Sequence, residues 1–144
     1  MLYAHDLQWW ESEAGQRARS QFKGDMYAGM DQAAAKFGLH HAPTIKGQGA
    51  PTDGKIYTGG NSGYQAVQLA LMWGASEIIL IGFTMKAIDG KNHWHRDHKH
   101  SNPNTTSLNR WVVAFNSLPL YIDKSMIKVY GESAITAFDK VDRL

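Results

Sequence analysis

The stretch IYTGGNSGYQAVQLALMWGASEIILIGF, from Ile56 to Phe83, constrains this chain more than any other. Gly59, Gly60, Asn61, Ser62 and Gly63 are crowded directly ahead of an apolar segment. Ser62 and Gln65 have capping-box spacing, Ala66, Val67, Ala70 and Leu71 fall on a helical repeat, and Gly74 supplies a stop. The spacing therefore predicts a helix from Ser62 to Gly74. EIILIGF, which follows, is continuously apolar and rich in Ile, the pattern of a buried parallel strand.

A glycine-rich turn feeding a helix exposes unpaired N–H groups at the positive end of the helix dipole, which is a ready anion site. Gly59, Gly60 and Gly63 would let the backbone approach a phosphate, and Asn61 and Ser62 would add side-chain donors. The segment is not a Walker loop, because no Lys follows the glycines, and it does not match G-x-G-x-x-G. The same residues equally fit a tight turn with Ser62 capping a helix and no ligand.

Around this segment, Leu2–Ala4 reads as a short strand, and DLQWWESEAGQRARSQF as one helix with Asp6 at its N-cap. A further short strand is expected between Lys23 and Met30. Four glycines and two prolines between Gly38 and Gly54 suggest a long loop. Leu108, Trp111, Val112 and Phe115 have helical spacing, with Pro119 near the end of that helix; MIKVYG reads as a final strand and ESAITAF as a short closing helix capped by Ser133. Trp9, Trp10, Trp73 and Trp111 are expected in the core. Strands alternating with helices argue for an α/β fold with a mainly parallel sheet flanked by helices. In such a sheet ligands collect at the carboxyl ends of strands, where the Ser62 helix start and the loop after Phe83 are both expected.

That loop contains HWHRDHKH, which places His93, His95, His98 and His100 around Asp97. In extended chain an H-x-H pair puts both imidazoles on one face, a spacing suited to a divalent metal such as Mg, Mn or Zn, with His93, His95 and His98 as the ligand set. The same imidazoles suit a general base or a phosphate donor, and the plainer reading is a polar surface loop. Trp94 could stack on a base or sugar. His5, His40 and His41 are expected to be structural.

At 144 residues with 43% apolar content the chain fits one domain, residues 1–144, with enough apolar residues for a core. A formal charge of +2 is far from the dense basic footprint of a nucleic-acid binder. Cys is absent, so any metal must be held by imidazole, carboxylate or water. The N-terminus lacks the pattern of a signal peptide, and Gly74, Ser76 and Glu77 interrupt the longest apolar region. A cytoplasmic location without membrane association is the expectation.

YTGGNSGYQAVQLALMWGASEIILIGFTM followed by HWHRDH resembles a phage and prophage group sometimes called norphogenetic proteins, related to 6-hydroxymethylpterin pyrophosphokinase-like proteins and more distantly to bacterial sialyltransferases. LYAHDLQWW near the start and ESAITAF near the end extend the resemblance over most of the chain. It implies a Rossmann-like sheet in which Asn61, Ser62 and Gly63 meet the phosphate of a nucleotide or nucleotide-sugar. It also matches Asp6 to an acidic residue after the first strand, and His93 and His95 to the H-x-H of the family. The family's Gly-aromatic-Asp-Met segment corresponds to Gly82, Phe83, Thr84 and Met85, so Thr84 stands where the family has a carboxylate. Relatives begin with a further strand and glycine turn, which this sequence starts downstream of.

The leading expectation is a transferase-like protein of glycosyltransferase or pyrophosphokinase type, derived from phage or prophage and working in the host cytoplasm. Gly59, Gly60, Asn61, Ser62, Gly63, Thr84 and Asp6 would bind the nucleotide, and His93 and His95 would act as base or acid. Its partner is then a small nucleotide or nucleotide-sugar, with a homo-oligomer as one way to complete the crevice. The alternatives are a non-catalytic nucleotide-binding protein, a phage interaction or virion-associated protein, and a metal-dependent hydrolase built on the histidine loop.

Overall fold

The computed structural model describes residues 1–88 and 105–143. Contacts divide the chain into two compact units, Met1–Trp73 and Gly74–Leu144. Both are α/β, and every strand pair described is parallel.

In the first unit the order is β1 (Leu2–Ala4), α1 (Leu7–Glu11), α2 (Glu13–Gln21), β2 (Met26–Ala28), α3 (Asp31–Phe37), β3 (His40–His41), β4 (Thr44–Ile45), β5 (Ile56–Tyr57) and α4 (Ser62–Met72). β1, β2 and β3 form one sheet in that order, with Leu2 opposite Met26 and Ala4 opposite Ala28; β4 and β5 form another. Period-two alternation sorts the side chains. Leu2, Ala4, Met26 and Ala28 pack with Trp10, Ala33 and Ala34 of α1 and α3, whereas Tyr3 and Tyr27 pack with Ala42, Ile56 and Leu69. Trp10 is fully buried, and its indole N–H donates to the Ala4 carbonyl at 3.1 Å.

The expected helix after Asp6 breaks in two at Ser12. The Ser12 side chain accepts from the Gly15 amide and caps α2, a local bond that competes with continuous helix. The expected loop between Gly38 and Gly54 contains β3 and β4, which are consecutive pieces of one extended run. Ala42 donates to the Ala28 carbonyl beside β2; Pro43, with no N–H to give, accepts from Ile56, and the run changes partner there from β2 to β5. Past β4, the loop is anchored by α4. Gln68, fully buried, donates from Nε2 to the Gly49 carbonyl at 2.7 Å and accepts the Tyr57 amide at 3.3 Å.

The second unit contains β6 (Ile78–Ile81), α5 (Thr105–Ser117), β7 (Ile127–Tyr130) and β8 (Asp139–Val141), with β7 central between β6 and β8. Leu108, Ala114, Phe115, Ile127 and Val129 are buried, and the Phe83 ring meets Phe115 edge-on with centroids 5.5 Å apart. β6 is parallel as expected but not buried throughout, since Ile81 is 56% exposed. Nor is β7 the last strand. ESAITAF is not a helix: its amides are used sideways, Ile135 donating to Ser133 Oγ and Thr136 and Ala137 to Asn116 Oδ1 on α5. Trp73, expected in a core, is 48% exposed. No described helix is long and apolar enough to cross a membrane.

Candidate functional site

In the first unit, the chain leaves β1 at His5 and Asp6 and leaves β5 at Thr58, so both turns lie at carboxyl ends of parallel strands. The turn after β5, Thr58–Asn61, runs into α4. A cleft of ≈ 180 Å³ opens where these turns meet, lined by His5, Asp6, Thr58, Gly60, Asn61, Ser62 and Gln65.

Gly59 makes the turn. Its φ of +51° is left-handed, and a Cβ there would overlap the Tyr64 ring. Asn61 caps α4, its Oδ1 accepting the Tyr64 amide at 2.8 Å. The cap therefore falls one residue before the Ser62 of the expected capping box. Ser62 is released for another task and accepts the backbone amide of His5 at 3.2 Å. Gln65 likewise turns away from its expected capping role, donating from Nε2 to the Thr58 carbonyl at 2.9 Å and accepting the Tyr3 hydroxyl on Oε1.

Two features leave hydrogen-bonding capacity at this helix start. The amides of Ser62 and Gly63 have no acceptor among the described residues, as the first amides of a helix do unless something outside supplies one. Asn61 Nδ2 is buried and also lacks a partner there. An unsatisfied buried donor is uncommon enough to require a physical reason. Asp6 sits at the N-cap position of α1, but its carboxylate makes no capping bond.

Beneath the cleft, Tyr3 resists ionisation: burial raises its pKa above 10.0, and the nearby Asp6 charge pushes in the same direction. Its hydroxyl also lies 3.4 Å from His5 Nδ1. A Cβ on Gly29, which follows β2, would overlap His5 Nδ1 and lie 2.5 Å from the Tyr3 oxygen, so glycine is what lets these side chains approach.

Of the residues expected to bind phosphate, Asp6, Gly60, Asn61 and Ser62 line the cleft together. Gly59 shapes the turn, and Gly63 stands in the first turn of α4. Thr84 belongs to the second unit, where its carbonyl accepts the Ala134 amide at 2.8 Å. His93, His95, His98, His100, Asp97 and Trp94 lie outside the described residues. No group of three His, Asp or Glu side chains able to hold a metal occurs among the described ones. His40 and His41 lie 4.0 and 3.8 Å from Asp25 and Asp31. Sequence reasoning missed Thr58, Gln65 and His5 as cleft residues. His5 alone had a local signal, a histidine beside an acid just after a predicted strand.

In comparisons with known proteins, the chain matches no protein-family model, no curated protein and no solved structure.

Proposed function

We propose that this protein binds a phosphate-bearing small molecule, a nucleotide or nucleotide-sugar, at the start of α4, within a Rossmann-like arrangement and in a transferase-like role. The observation that carries the reading is Asn61. Its Oδ1 is committed to the helix cap while its buried Nδ2 has no partner among the described residues, and Asn61 and Ser62 both line the cleft. Donors from a side chain, two backbone amides and the positive end of the helix dipole are the elements of an anion site.

The cleft also limits the ligand. Whole small-molecule sites span roughly 300–1,000 Å³; at ≈ 180 Å³ this one suits a phosphoryl group with the adjoining part of a sugar. Among the described residues no Lys or Arg lines it, so the affinity they supply would come from oriented dipoles rather than a full countercharge. The resemblance to nucleotide-handling phage proteins supports the choice of ligand class, and the transferase role rests on that resemblance alone.

Thermal-shift measurements with CMP, CMP-sugars, UDP-sugars, ATP and GTP test the reading, because a ligand of the folded state raises stability by mass action. A saturable shift with one of them, lost in Ser62→Arg, is the expected result. No shift with any of them would sink the proposal and favour an interaction protein.

A further inference from the structure

The Tyr3 hydroxyl lies between Gln65 and His5 and has one proton to give. Gln65 determines where it goes. With Nε2 donating to the Thr58 carbonyl at 2.9 Å, the atom facing Tyr3 is Oε1, which can only accept. The Tyr3 proton is thus used on Gln65. At the 3.4 Å contact between the Tyr3 oxygen and His5 Nδ1, the hydrogen must then belong to the imidazole. A tyrosinate is not an alternative, since burial suppresses ionisation of Tyr3. Gly29 keeps the arrangement compact, because any side chain there would displace His5 Nδ1.

We propose that His5 is held as its Nδ1–H tautomer and offers Nε2 to the cleft as a hydrogen-bond acceptor, where with Asp6 it selects a phosphorylated ligand bearing a hydroxyl beside the phosphate. This rests on the phosphate-binding reading and supplies the other half of the ligand. Asn61 and Ser62 line the cleft and would supply donors to the anion; His5 and Asp6 line it too and would accept hydroxyl protons, as a ribose phosphate would provide. Free neutral histidine favours the opposite tautomer, with hydrogen on Nε2, so the local network has to impose this one.

Two measurements test it. In proton–nitrogen correlation spectra of the neutral imidazoles, His5 should show hydrogen on Nδ1 in the wild-type protein and revert toward Nε2–H in Tyr3→Phe. A wild-type His5 protonated on Nε2 overturns the proposal. In titrations, His5→Leu should weaken CMP by roughly three- to tenfold, the worth of one hydrogen bond, and leave inorganic phosphate unchanged. Should His5→Leu fail to fold, Tyr3→Phe carries the same comparison. CMP affinity that survives the His5 change but is lost in Ser62→Arg overturns this inference and leaves the phosphate reading standing. If the wild-type protein binds neither CMP nor phosphate, both fall.

Discussion

The Ser62 hydroxyl accepts the backbone amide of His5 at 3.2 Å, joining positions separated by 57 residues. This bond ties the end of β1 to the start of α4 and sets two walls of the cleft against each other. Ser62→Ala removes the acceptor and should lower stability by about 1 kcal/mol, the net worth of a typical hydrogen bond. Denaturant unfolding would show it as a lower midpoint at unchanged slope. A midpoint equal to wild type would mean that the bond contributes nothing to the fold.

Asn61 separates capping from binding. Asn61→Ala loses the Tyr64 cap and should cost about 1 kcal/mol, whereas Asn61→Asp keeps an equivalent cap and should stay within roughly 0.5 kcal/mol of wild type. The Asp variant nevertheless puts a carboxylate where Nδ2 stood, so it should lose CMP binding. Calorimetric titration of this stable variant reads that directly, and retained affinity would show that Nδ2 does not face the phosphate.

Gly29→Ala is a small change in a place without room, since the new methyl would overlap His5 Nδ1. Overpacking of this kind typically costs about 1–3 kcal/mol. Thermal melting should show the loss, and the imidazole spectrum of His5 should change with it. An undisturbed His5 signal would mean that the ring has space the structure does not show.

Alkaline pH should act through Tyr3. Its folded pKa is raised above the ordinary 10.0, so above that pH the folded state holds a proton that the unfolded chain releases. Stability attributable to Tyr3 is therefore complete below pH 10.0 and falls as pH rises beyond it. Tyr3→Phe should be less stable at neutral pH, having lost the bond to Gln65, yet decline less steeply in alkali. Equal alkaline slopes in the two proteins would contradict the burial assigned to Tyr3.

What the sequence revealed was what short-range pattern encodes. The Ile-rich run at β6, the apolar repeat of α4 and the glycine turn ahead of it are all local, and each led to the right type of element. Errors arose where a distant group decided the outcome. Asn61 and Ser62 are both good caps, and the choice between them turns on the His5 amide, which only folding brings to Ser62. Gln65 and Thr58 carry no site signature in sequence because their roles arise through Tyr3 and through each other. Ser133 looked like a helix cap, but Asn116 of α5 takes the amides that would have continued the helix. β3 and β4 are two residues each, too short for any periodicity to register.

The most direct test of the phosphate site needs no variant: amide chemical-shift mapping of the wild-type protein during titration with CMP. The account predicts saturable shifts centred on the amides of Gly60, Ser62 and Gly63 and the Asn61 side-chain amide, with smaller ones at His5 and Asp6. Saturable shifts elsewhere that leave these signals unmoved would contradict it.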